Sequence, residues 1–162
     1  MLKKIWDHLE EIFLLPSLVF SVGLIFVQII MRYVFTSSLS WSEELARYLF
    51  IWQIWLGVSY AARNRSHLRI LLLTQKLSPK ARSGVELVVT AVWMGFALFV
   101  AARGFGLAAQ VARFGQKSSA LQIPMQYVHL AVPVGCTLMA LRLAENTLKD
   151  FFSKQRMRGL PE

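Results

Sequence analysis

One cysteine occurs in 162 residues. Cys136 stands alone inside an apolar stretch, which excludes intramolecular disulfides and cysteine-based zinc sites and reads as a small buried hydrophobe. Histidine is almost as scarce: of His8, His67 and His129, only His129 falls within a long apolar stretch. A haem held between two intramembrane histidines therefore lacks its second ligand. No glycine-rich loop ends in Lys-Ser or Lys-Thr, and Gly104 and Gly106 lie within an apolar stretch, so the usual phosphate cradle is missing. Acidic residues number nine against eighteen Lys and Arg, a net charge of +9. Such an excess fits nucleic acid when it forms a stripe on a soluble face, but here the cations gather at the ends of apolar stretches. Nucleic acid is not the expected partner.

Apolar sequence is what the chain has in abundance, at 56% of residues, more than a soluble core needs. Ile12 to Met31 is uncharged for twenty residues, which as a helix spans roughly 30 Å, the hydrocarbon thickness of a bilayer. Three further stretches carry only one or two charges each, placed toward their ends. The expected fold is an all-α integral membrane protein, one domain over 1–162, with transmembrane helices at 12–34, 44–62, 85–109 and 121–143. Lys3 and Lys4, the central run of Arg63, Arg65, Arg69, Lys76, Lys80 and Arg82, and the tail 149–162 with Lys149, Lys154, Arg156 and Arg158 fall in alternate gaps. Because short cytoplasmic loops are enriched in Lys and Arg, both termini are expected in the cytoplasm.

Two segments are apolar on one side only. In residues 1–11, Leu2, Ile5, Trp6 and Leu9 recur at helical spacing opposite charged residues, which predicts an interfacial amphipathic helix or a simple extension of the first span. The apolar run behind them is too long for a cleaved leader. Residues 67–77, His67 to Leu77, are apolar but short and charged, and predict a second interfacial helix meeting anionic headgroups. Ser78-Pro79 then ends that helix and starts the third span. On span three, Ala91, Gly95, Ala102, Gly106 and Ala109 would admit a neighbouring helix closely. Pro16 falls in the early turns of span one, and Pro124 and Pro133 are expected to bend span four.

Ionisable groups inside a span mark transport pathways, and they are few. Arg32, Arg47, Arg103 and Arg142 all lie toward span ends, from which they can snorkel to an interface. Glu43 and Glu44 are the outer carboxylates, with Glu43 and Arg47 at i,i+4 spacing for an ion pair. The cluster of Arg32, Glu43, Glu44, Arg47 and Arg103 is expected to set helix register or to dock a partner. No catalytic, metal, cofactor or substrate site is expected; an interface phospholipid is left open. A stand-alone four-helix exporter or channel remains an alternative, though the carboxylate expected in the first helix of a small multidrug exporter is missing. So does the membrane anchor of a redox complex.

Several of these residues carry a resemblance. Arg32-Tyr33-Val34-Phe35, Leu39-Ser40-Trp41-Ser42-Glu43-Glu44-Leu45-Ala46-Arg47, Gly57 to Arg63 with His67, and the later Ser119-Ala120-Leu121-Gln122-Ile123-Pro124 and Val132-Pro133-Val134-Gly135 resemble the small membrane (Q, DctQ-type) subunit of tripartite ATP-independent periplasmic (TRAP) transporters. The resemblance runs over almost the whole chain, in the same order. It implies a large multi-span permease (M) subunit and a periplasmic solute-binding protein as partners in the bacterial inner membrane. It also implies uptake, coupled to sodium, of a carboxylate solute such as a sialic acid or a C4-dicarboxylate. The small subunit would then be a stator, with Arg32, Trp41, Glu43, Glu44, Arg47, His67 and Arg103 as candidate contact residues.

Overall fold

The computed structural model describes residues 2–37, 39–64 and 79–158, with side chains placed for 11–37, 39–64, 81 and 84–149. Within them the chain forms α1 (Leu2–Tyr33), α2 (Ser40–Arg63), α3 (Pro79–Arg113), a four-residue α4 (Gln126–His129) and α5 (Ala131–Arg158). The expected interfacial helix at 67–77, with His67, lies outside the described residues. Leu2 to Tyr33 is one uninterrupted helix, so residues 2–11 are continuous with the first span. Pro16 consequently lies well inside α1, where a lipid-facing helix tolerates the lost donor. Pro79 opens α3, the position where a missing N–H is least costly.

Among the described residues, three helices are long and apolar enough to cross a membrane: Glu11–Tyr33, Gly84–Arg113 and Gln126–Lys149. α2 is long enough but less apolar, because Tyr48, Trp52, Gln53, Trp55, Ser59 and Tyr60 interrupt its aliphatic residues. Residues 121–125, expected inside the fourth span, belong instead to the connection before α4. Pro124 is in that connection, and Pro133 occupies the first turn of α5, which has no intrahelical bond to lose there.

α1 packs on α2, α2 on α5, and α5 on α3. The core is a layer of small side chains between α2, α3 and α5: Ala62, Ala97, Ala101, Cys136, Met139, Ala140 and Leu143, flanked by Trp55, Val58 and Val132. Lipid is as apolar as leucine, so close backbone approach and interhelical hydrogen bonds hold such a bundle more than hydrophobic burial does. Gly135 shows how close the approach is. A Cβ there would lie 2.6 Å from the carbonyl oxygen of Trp55 and 2.7 Å from its Cβ.

The small stripe that α3 turns inward is Ala97, Ala101, Gly104 and Ala108, with Gly104 against Pro133. The stripe Ala91, Gly95, Ala102, Gly106 and Ala109 is exposed. Both obey the helical period, so spacing alone could not say which meets α5.

α1 and α2 are joined at three depths. Gln28 Nε2 donates to Glu43 Oε1 at 2.9 Å, Gln53 Nε2 to Ser21 Oγ at 2.9 Å, and Arg63 pairs with Glu11 at 3.4 Å. Ser21 is the one buried residue between Glu11 and Ser37, and its hydroxyl donates a hydrogen bond to the Ser17 carbonyl at 2.8 Å. At the far end of α2, Asn146 Nδ2 donates to the Ala62 and Arg63 carbonyls at 3.0 and 3.3 Å. These belong to the last turn, whose carbonyls have no partner in their own helix.

Candidate functional site

α3 ends where Gly115 takes φ +62°, the left-handed conformation that closes a helix without Cβ strain. The chain then folds into a short hairpin. Met125 N–H donates to the Gln116 carbonyl at 2.9 Å and Ser118 N–H to the Ile123 carbonyl at 2.9 Å. Ser118 Oγ accepts the Ile123 N–H at 3.1 Å. Gln122, at φ +54°, turns the tip, and its side chain donates to the Ser119 carbonyl at 3.1 Å.

This leaves two successive tip amides, Ala120 and Leu121, pointing to one spot, an arrangement that cradles an anion. Glu44 fills it. Its Oε2 accepts both N–H groups at 2.8 Å, while Oε1 takes a short hydrogen bond from the Tyr48 hydroxyl. Met125 Sδ lies 3.3 Å from the Tyr48 hydroxyl. Glu44 is buried, and charge-assisted bonds of this kind are about twice as strong as neutral ones. A carboxylate so fully engaged can hold a loop; little of it is left to bind a solute.

The two acidic residues therefore face inward. Glu43 bonds Gln28 on α1 in place of the ion pair expected with Arg47, and Glu44 bonds the hairpin. Arg32 and Arg47 are exposed, as is Trp41 in the first turn of α2. Arg103 stands apart from them, ten residues before the end of α3, with its guanidinium 5.5 Å from the centroid of the Phe99 ring. Arg142, expected to snorkel, is only 2% exposed and donates to Glu145 at 3.3 Å, while Glu145 also pairs with Lys149 at 2.7 Å. Packing of α5 between α2 and α3 encloses its stem. Among the described residues no group of three His, Cys, Asp or Glu side chains could hold a metal ion.

Sequence reasoning singled out Glu44 and, separately, the Ser119–Pro124 run, but not that one is the ligand of the other. Tyr48, four residues after Glu44 on the same face of a helix, was the available signal. Ser21, Gln28, Gln53 and Asn146 had none beyond being polar in apolar surroundings.

The joined motifs bear on ancestry, because the family described as tripartite ATP-independent periplasmic transporters, DctQ component, matches residues 21–153. The chain belongs to that family. It is similar, at 30% identity over 145 residues, to the sialic acid TRAP transporter small permease protein SiaQ of Vibrio cholerae serotype O1, covering 90% of this chain and 83% of that protein. It is 31% identical over 109 residues to the C4-dicarboxylate TRAP transporter small permease protein DctQ of Rhodobacter capsulatus, covering 67% of this chain and 48% of that one. A third relative is the isethionate TRAP transporter permease protein DctMQ of Oleidesulfovibrio alaskensis, 28% identical over 94% of this chain; the chain spans 24% of that protein's length. This DctQ-family chain is thus a transporter component of the bacterial inner membrane, multi-pass and not an enzyme.

Proposed function

We propose that the chain is the small, stationary subunit of a binding-protein-dependent secondary transporter. It would work beside a large multi-span permease and a periplasmic solute-binding protein in sodium-coupled uptake of a small organic anion. The observation that carries this reading is its likeness both to nearly the whole of a small permease protein and to about a quarter of a longer permease. The chain then corresponds to a part that works against a larger membrane region. The relatives' printed solutes, sialic acid, C4-dicarboxylate and isethionate, are all anionic and polar, which supports a carboxylate or sulfonate as solute class.

The bundle suits a stator. Polar ties at the outer end, the middle and the inner end fix α1 against α2, and Glu44 fixes the hairpin, so the helices move as one body. The same ties support α2 as a fourth crossing. Partners Glu11 and Gln28 on α1 are seventeen residues apart, about 25 Å along a helix, and α2 runs beside that whole length. Four crossings place both termini in the cytoplasm, in agreement with the Lys and Arg distribution, and put the hairpin on the periplasmic side. Arg32, Trp41 and Arg47 are then free to meet a partner, while Glu43 and Glu44 act by fixing the surface from within.

Proteoliposomes holding this chain, the large permease and the binding protein should take up solute when a sodium gradient is imposed. Omission of any one component should reduce uptake to background. Flux through this chain alone would overturn the reading in favour of a stand-alone channel or exporter.

A further inference from the structure

Among the described residues, Arg103 is an exposed charged side chain well inside a membrane-length helix. From Gly84 to Arg113 α3 has 30 residues, about 45 Å of helix, which equals the thickness of a bilayer with its headgroups. The helix midpoint, between Leu98 and Phe99, then lies near the bilayer centre. Side chains on a helix lean toward its N-terminus, and Arg103 does so: its guanidinium lies over the ring of Phe99, one turn closer to the midpoint. It reaches away from the nearer headgroups. Arg103 is exposed, and among the described residues no hydrogen bond or ion pair reaches it. Five donors are thus presented outward in an apolar layer where unpaired charge is strongly disfavoured.

Resting on the small-subunit reading above, we propose that Arg103 is the anchor of the interface with the large permease, and that it pairs at mid-depth with a carboxylate on one of the permease's membrane helices. Lipid phosphate lies too far along the helix axis for the observed side-chain direction. A second copy of this chain offers no mid-depth counter-charge among the described side chains, since Glu11, Glu86 and Glu145 stand toward the ends of the membrane-length stretches and Glu43 and Glu44 in the first turns of α2. The exposed stripe of Ala91, Gly95, Ala102, Gly106 and Ala109 adjoins Arg103 on α3 and lets a partner helix come close enough for a bidentate pair.

The test is copurification of tagged chain with the large permease in maltoside after exhaustive lipid removal, with uptake measured after reconstitution. R103L should reduce the copurified permease about tenfold, R103K should recover part of it, and the R103L chain alone should keep wild-type helicity. R103E should abolish uptake, and replacing one membrane carboxylate of the permease by Arg should restore it. Unchanged copurification in R103L, or restoration by none of the permease's membrane carboxylates, overturns the proposal. So does a difference between wild type and R103L that vanishes once lipid is removed, which assigns the arginine to a headgroup. Failure of the wild-type chain itself to copurify with the permease overturns the small-subunit reading, and this proposal with it.

Discussion

Glu44 illustrates how a charged residue can be structural at a membrane boundary. Its carboxylate replaces water as acceptor for the Ala120 and Leu121 amides, and Tyr48 completes the shell. Glu44→Ala should leave those amides without an acceptor, destabilising the hairpin by about 1 to 3 kcal/mol. Hydrogen exchange should accelerate at Ala120 and Leu121 and not at mid-helix amides of α3. Equal rates in variant and wild type would show that the clamp does not hold the hairpin. Both halves of this site stood in motifs visible in the sequence. Their connection was not, because a contact between residues 76 and 77 positions apart depends on how α2, α3 and α5 are arranged, which no local pattern records.

Between helices, contact is decided by shape. Gly135 allows α5 to touch the backbone of α2 at Trp55, and any larger residue must push the two apart. Gly135→Val should cost about 1 to 3 kcal/mol, the usual range for overpacking a close contact. The thermal midpoint of the purified chain should fall accordingly, while Gly106→Val, on the exposed face, should leave it unchanged. A matching fall in both variants would mean that the inward face of α3 has been misassigned. Helix content and most helix positions were legible from hydrophobic runs and from Pro79. The facing of α3 was not, since it carries small residues along two sides. Arg142 misled for a related reason: proximity to a helix end implied an interface, whereas packing on both flanks of α5 buried it.

For the whole molecule, the question is whether α2 crosses. If α2 crosses as proposed, single cysteines placed at Ser119 and Ser153 in a Cys136→Ser background should react with an impermeant maleimide from opposite sides of the membrane. Ser119 should be labelled from the periplasm and Ser153 only after permeabilisation. Labelling of both from outside would contradict four crossings.

Sequence by itself determined that the chain is a multi-pass helical membrane protein, and its motifs its family, because lipid forces every backbone polar group into helical bonds and makes each span a visible apolar run. Only the tertiary structure decided that the two acidic residues turn inward, that α2 is tied along α1, and that Arg103 is left facing out. Those outcomes depend on which faces meet, and in lipid that choice rests on steric fit and a few polar pairs between residues far apart in the chain.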